Sequence, residues 1–437
     1  MGDDMEALSG TQVTRRQARL WSIVGALLLV AATLALHIGL PLWDHIDLVP
    51  IYRAWLEGDV SSSGFWRVHD GSHLHTSAYV VLLLTTWLSH GRPWLDCLVS
   101  ALLMVGVAML LLRLASRVLP RGLARGWWFV VGLLAFYPGH LINLQWGWQV
   151  AVFISLAGLV VPVVLLTASS LRWSGWVASL VAAVLGVMSF GTTLAVFPVA
   201  VALLLSRSDW SWLRRAIGVS FWLLALAGLV AWMRWDHAGQ AIARPHLGDA
   251  LLYAGNYLGS GLLHFAQPLA LPWLGVALLV AAVVAWRAPR QRLLPCLALM
   301  ACAMGAALLT AWGRAAPFGV EHGFMTRYVS YSILFWFGWF MLLLPAMVER
   351  PAWRRWLRPL LLLAAVIATF NAMHMTKKAI GVSRNANAYA RQIVSQYPDY
   401  DPQLLERAYG PGRDQTAPEL LGIWRQYGFA PFERTPE

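Results

Sequence analysis

A chain of 437 residues that is 59% hydrophobic and only 12% charged, with mean hydropathy +0.59, excludes a soluble globule. Its repeated apolar runs make it an all-α polytopic membrane protein. The formal charge of +12 would suggest a nucleic-acid partner in a soluble protein, but here the placement of basic residues reports topology, and no nucleic acid is expected.

In chain order, Arg15, Arg16 and Arg19 precede the apolar run Leu20–Leu40 with no small-residue cleavage site after it, the pattern of an uncleaved signal anchor. Further spans are expected at 94–112, 126–142, 149–168, 174–190, 191–206, 216–233, 268–286, 293–313, 328–347 and 357–374, which with 20–40 gives about 11 transmembrane helices. Gly191-Thr192-Thr193 joins two short segments, either as two crossings or as a broken pair lining a cavity. The apolar run Thr76–Leu88 is too short to cross comfortably. If it crossed, Arg113, Arg117, Arg121 and Arg125 would fall on the outer face, against the positive-inside rule. Placed in the interface, it leaves the clusters at 15–19, 113–125, 172, 207–215, 287–292 and 350–358 all cytoplasmic, and most of the 21 acids outside.

Three regions follow. Residues 1–19 form a cytoplasmic N-terminus, 20–374 a transmembrane domain with the outer loop 41–93, and 375–437 a small outer-face C-terminal tail with short helices near 384–396, 402–408 and 416–427. A second interfacial helix is expected at Leu251–Leu263. Lysine occurs only at Lys377 and Lys378 against 31 arginines, which points to a GC-rich bacterial genome, and the expected location of such a multi-pass protein is the bacterial inner (plasma) membrane. Cys97, Cys296 and Cys302 lie in or beside apolar runs and read as small hydrophobes.

Chemistry concentrates in the first outer loop. Asp44 and Asp47 follow the first span at interfacial depth, where partial desolvation raises carboxylate basicity and suits a general base; either is also a candidate cap for the helix around Tyr52. His69, Asp70, His73 and His75 have spacings that admit a divalent metal, but Gly71-Ser72 argue for a turn, so an acid–histidine cluster orienting substrate is favoured. Arg327 opens the tenth span beside His322, where a guanidinium suits a lipid phosphate or a snorkelling anchor. Gln145 and Gln149 add amides among Trp146 and Trp148, a composition that suits sugars and also an aromatic belt. No Gly-rich phosphate loop, nucleophile elbow, paired-cysteine set or ATPase motif is present.

A basic N-terminus, one span, a long outer loop opening with Trp43-Asp44-His45-Ile46-Asp47 and an interfacial helix with Tyr52, then many spans, resembles the GT-C superfamily of polytopic membrane glycosyltransferases. Leu144-Gln145-Trp146-Gly147-Trp148-Gln149, Ser189-Phe190-Gly191-Thr192 and Thr326-Arg327-Tyr328 are similar to segments of a mostly uncharacterised bacterial branch. The resemblance implies inverting transfer of a sugar from a polyprenyl-phosphate carrier to an envelope glycan or lipid acceptor on the periplasmic face. Asp44 or Asp47 would be the base, Arg327 the phosphate ligand, and Asp70, His69 and Gln149 would position the sugar. The usual acid pair is replaced by Asp44-His45-Ile46-Asp47, and the second acidic motif is represented only by His69-Asp70. A lipid-linked substrate transporter or flippase, or a non-catalytic envelope-assembly protein, are the alternatives. Spans almost free of ionisable groups and the lack of an internal repeat count against transport.

Overall fold

The computed structural model describes residues 2–60, 64–69, 73–120, 123–236, 244–287 and 289–432. Its helices are α1 (Gly2–Leu36), α2 (Leu48–Leu56), α3 (Thr76–Ser89), α4 (Trp94–Val118), α5 (Arg125–Ala135), α6 (Leu141–Leu144), α7 (Val150–Leu166), α8 (Trp173–Val187) and α9 (Val196–Leu205). They continue as α10 (Trp212–Asp236), α11 (Leu247–Leu263), α12 (Ala270–Ala285), α13 (Arg290–Phe318), α14 (Val329–Glu349), α15 (Pro351–Ser395), α16 (Pro402–Tyr409) and α17 (Ala417–Gln426). A two-stranded antiparallel ribbon, β1 (Val68–His69) with β2 (His73–Leu74), pairs His69 opposite His73.

Among the described residues, nine helical segments are long and apolar enough to cross a membrane. The remaining two of the eleven expected crossings are α8 and α9. At about 1.5 Å per residue they reach roughly 22 and 15 Å, short of a hydrocarbon core about 30 Å thick. They meet at the 3-10 turn Gly191–Ala195, which is folded into the interior. There the Thr193 hydroxyl lies 2.7 Å from Ser155 Oγ, and Ser189 Oγ donates to the Ala151 carbonyl at 3.1 Å. Irregular backbone at that depth is stable because protein, not lipid, satisfies its polar groups. The helix α3, 14 residues long, is likewise too short to cross, as its apolar run suggests.

The most enclosed helix is α14, whose aromatic run Phe335-Trp336-Phe337 and Trp339-Phe340 is buried on every face. A helix apolar all round belongs in the centre of a bundle. Its two indoles also find acceptors, Trp336 Nε1 donating to the Leu258 carbonyl at 2.8 Å and Trp339 Nε1 to the Ala277 carbonyl at 2.9 Å. These bonds seat α14 against α11 and α12. Helix α11 therefore differs from the surface-lying helix expected at Leu251–Leu263. It runs Leu247–Leu263 and packs against α12, α13 and α14, with Tyr253, Tyr257 and Ser260 buried, because its small residues Gly255, Gly259 and Gly261 let neighbours close in.

Helix α15 is one continuous element of 45 residues, not a span ending at 374 followed by a separate tail helix. No proline or glycine cluster interrupts it between Lys377 and Ser395. Buried Asn371 fastens it, donating to Tyr137 Oη at 2.8 Å and to the Gly261 carbonyl at 2.9 Å. Beyond α15 the chain folds back over the 37–93 loop. Phe429 and Tyr427 pack on Tyr52, with ring centroids 5.1 and 5.8 Å apart, and the Ala430 amide donates to the His90 carbonyl at 3.1 Å.

Candidate functional site

The approach of loop 37–47 to the segment 138–149 creates the site. The Ile38 amide donates to the Gln145 carbonyl at 2.9 Å, and the Trp146 indole donates to the Leu42 carbonyl at 3.2 Å. From the opposite side, Asn387 on α15 accepts from the Gly39 amide and donates to the His37 carbonyl, both at 3.0 Å. Pinned on both sides, the chain turns sharply at Trp43, which has φ +50°. A tryptophan in the left-handed region is strained by about 1–2 kcal/mol, and such outliers cluster at functional sites. The turn sets the Trp43 ring edge-on to Trp146 at 5.0 Å and begins the 3-10 helix Trp43–Asp47.

A cavity of about 340 Å³ opens at this junction, walled by Trp43, Asp44, Asn143, Trp146, Gln149 and Arg327, with Val382 of α15 closing one side. Three residues singled out from the sequence, Asp44, Gln149 and Arg327, are thus brought together from stretches far apart in the chain. Asn143, an amide of the same stretch as Gln145 and Gln149 that was not among the residues chosen from the sequence, fixes the arginine. Its amide nitrogen donates to Ser330 Oγ at 2.8 Å and to the Arg327 carbonyl at 3.1 Å. The Arg327 Nε is buried with no hydrogen-bond partner, and among the described residues no carboxylate forms an ion pair with this guanidinium. A cation left in that condition is poised for an anion from outside.

The other candidates lie elsewhere. Asp47 does not line the cavity; its carboxylate is bound by both terminal nitrogens of Arg413, at 2.5 and 2.9 Å. Gln145 is fully buried with neither end of its amide paired, and it too is outside the cavity wall. His322 shares a 2.8 Å hydrogen bond with Tyr253 Oη. Burial, and then the charges of Arg327 and Arg314, hold its pKa down to about 4, so the ring is neutral near pH 7. Asp70 lies outside the described residues, as does the side chain of His69. His73 and His75 stack at 6.2 Å. His73 Nε2 faces a guanidinium nitrogen of Arg314 at 3.3 Å, and His75 Nδ1 lies 2.8 Å from the Ser189 carbonyl. A guanidinium against an imidazole lone pair opposes a second cation there. Among the described residues no group of three His, Cys, Asp or Glu is placed to hold a metal.

Behind the cavity sits a polar pair that the sequence reading missed. His45 and Asp96, the latter in the first turn of α4, are both buried, with Nε2 and Oδ2 3.7 Å apart, and Thr85 donates its hydroxyl to Asp96. Burial pushes the His45 pKa down to about 3, so the contact joins a neutral imidazole to the acid and is not an ion pair. The segment leading to Gln149 passes directly over them. A Cβ on Gly147 would come within 2.7 Å of Asp96 Cβ and 2.8 Å of His45 Cε1, so glycine is what allows the approach. The signal available in the sequence was an aspartate at the head of an otherwise apolar span.

No family model matches the chain, and neither the curated proteins nor the solved structures contain a match.

Proposed function

We propose that the chain is an inverting glycosyltransferase of the inner membrane that moves a sugar from a polyprenyl-phosphate carrier to a hydroxyl of an envelope glycan or lipid. The observation that carries this reading is the shared cavity. A carboxylate (Asp44) and a guanidinium without a carboxylate partner (Arg327) face one space with amides (Asn143, Gln149) and indoles (Trp43, Trp146) between them. A volume of about 340 Å³ falls in the range of small-molecule sites, roughly 300–1,000 Å³. It suits a single sugar with its phosphate, the prenyl tail remaining in lipid.

In this mechanism Asp44 takes the proton of the acceptor hydroxyl as its oxygen attacks the anomeric carbon. The bond from that carbon to the phosphate oxygen breaks, and Arg327 holds the charge that develops on the leaving group. Attack opposite the departing phosphate inverts the anomeric centre. The indoles offer flat faces to the sugar, and Asn143 and Gln149 offer hydrogen bonds. The positive-inside argument supports a cytoplasmic N-terminus and a periplasmic cavity, with α8 and α9 together entering and leaving from one side.

Transport would need charged groups or cavities open to both faces. The intramembrane acid Asp96 is instead enclosed with His45 and Thr85, which favours transfer over passage. The test is sugar transfer in reconstituted membranes from polyprenyl-phosphate donors. Asp44→Asn is expected to lower the rate at least ~100-fold while donor binding survives, from the usual size of general-base effects. Full activity in Asp44→Asn would refute the base assignment.

A further inference from the structure

On one side Asn143 is cavity wall; on the other its side chain, in a residue only 2% exposed, is locked into a series of hydrogen bonds. The amide nitrogen donates to the Arg327 carbonyl at 3.1 Å and to Ser330 Oγ at 2.8 Å. A carbonyl can only accept, so the nitrogen must lie on that side and the amide cannot be turned over. Ser330, buried in the first turn of α14, receives one bond from Asn143 and has a single proton of its own to give. Its other partner is His140 Nδ1, at 3.0 Å. His140 is buried, and among the described residues no carboxylate pairs with it, so the ring stays neutral. The bonds then run one way. Asn143 N–H donates to Ser330 Oγ, and Ser330 O–H donates to the His140 Nδ1 lone pair, which puts the histidine's proton on Nε2. That nitrogen is buried with no partner. A buried imidazole with one nitrogen unpaired is costly, and what it contributes here is the acceptor at Nδ1.

The direction of these bonds decides what Asn143 shows to a ligand. Both amide hydrogens are engaged, and among the described residues no donor reaches Oδ1. Nor is Oδ1 one of the sealed, unpaired atoms of the interior, so the open end of this side chain is an acceptor on the cavity wall. The neighbouring Trp146 offers only its face, since its indole N–H is bound to the Leu42 carbonyl at 3.2 Å. The acceptor is also anchored to the 3-10 turn Thr326–Tyr328 that carries the Arg327 guanidinium. A free hydroxyl or an amide N–H can donate to Oδ1; an ether, an ester or a fluorine cannot.

Resting on the reading of the cavity as a site for a sugar and its phosphate, we propose that Asn143 determines specificity by accepting, through Oδ1, a hydrogen bond from one hydroxyl or N–H of the sugar. Ser330 and His140, neither of which lines the cavity, are the positioning residues that aim it. A site built to pair a substrate hydroxyl rejects the analogue lacking it, because its own polar group is then left unpaired.

The experiment measures binding to the full chain in nanodiscs of neutral lipid. The probes are farnesyl phosphates of glucose, galactose, mannose and N-acetylglucosamine, followed by the monodeoxy and monodeoxyfluoro forms of the one that binds most tightly. At one ring position both forms are expected to bind ~10-fold more weakly than the parent, the size of one buried hydrogen bond. Equal losses from the two forms identify the sugar as the donor. Asn143→Ala should bring the ratio at that position to within about 2-fold and leave the other positions unchanged. A purely structural role would instead weaken parent and analogues alike and preserve the ratio. Ser330→Ala and His140→Leu should each reduce the same ratio several-fold, and His140→Asn, which keeps an acceptor near the place of Nδ1, should restore part of it. A second measurement needs no ligand and no folded variant of these residues: the histidine 15N spectrum of the unmodified chain should show His140 unprotonated at Nδ1 and protonated at Nε2.

A ring position whose sensitivity survives in Asn143→Ala, the absence of any sensitive position, or a His140 proton found on Nδ1 would overturn the proposal while leaving the transfer reading intact. Failure of all four sugar phosphates to bind would overturn the transfer reading, and this one with it.

Discussion

Asp44 and Asp47 lie three positions apart, the first on the cavity wall and the second bound to Arg413, which makes their rivalry testable. Asp47 and Arg413 form a two-pronged ion pair in which the side chains are only 19% and 32% exposed. Exposed pairs are typically worth under about 1 kcal/mol, but a bidentate, largely buried one reaches the ~1.5–3 kcal/mol of hydrogen bonds to charged groups. The pair closes the tail over the loop, so breaking it should raise the population of a detached tail by ~10-fold or more, each 1.4 kcal/mol being about a factor of ten. Limited proteolysis of residues 410–432 reads that population when reclosing is fast. Asp47→Asn and Arg413→Gln should each speed cleavage about 10-fold, and the double substitution should do little more, because the pairwise coupling is lost only once. The charge-swapped Asp47→Arg with Arg413→Asp should recover much of the protection. Donor binding by Asp47→Asn should stay within about 2-fold. Additive single effects, or an Asp47→Asn variant that loses donor binding while its tail stays protected, would refute this division of roles and return Asp47 to the site.

Three further outcomes follow from the same geometry. Gly147→Ala forces a methyl to within 2.8 Å of Asp96 and His45; it should destabilise by about 1–3 kcal/mol and weaken donor binding, visible as a lower midpoint in thermal unfolding and a raised Kd. Asn143→Ala removes the bonds to Ser330 and to the Arg327 carbonyl; it should cost about 1–2 kcal/mol and loosen donor binding several-fold with a smaller effect on the melting point. His45 has its pKa lowered from 6.5 to about 3 in the folded chain, so the unfolded chain binds the extra proton first. Its stabilising share is whole above pH 6.5 and is lost as the pH falls toward 3. Between pH 7.5 and 5.5 that amounts to about 1.4 kcal/mol, and His45→Gln should flatten the corresponding part of the unfolding profile; an unaltered slope would refute it.

Asp44, Arg327 and Gln149 were legible in the sequence because a charge or amide at the end of an apolar run stands out against its surroundings. What was hidden depended on local backbone or distant pairing. Gln145 and Gln149 are spaced to share a helical face, yet α6 ends at Leu144 and a separate 3-10 turn covers Gly147–Gln149. The register therefore breaks, sending one amide into the interior and the other into the cavity. Asp47 looked equivalent to Asp44 because its partner lies 366 residues away, beyond any spacing argument. The nine long helices were read from apolar length alone, whereas the short pair α8 and α9 needed knowledge of what satisfies the polar turn between them. Asp96 was overlooked because an acid in the first turn of a helix is ordinary in water, and only burial against His45 makes it unusual.

That burial also bears on how Asp44 is held. The turn Trp43–Asp47 has Asp44 facing the cavity and His45 facing the interior, where it meets Asp96. A neutral imidazole packed against a buried acid and capped by Gly147 is intolerant of movement, since neither polar group can be exposed without first opening the contact with α4. The strained φ of Trp43 is sustained by the same packing on one side and by Asn387 on the other. Asp44 is thus positioned from behind by His45 and from the flank by α15. Its geometry should respond to substitutions at Asp96 and Asn387, neither of which lines the cavity.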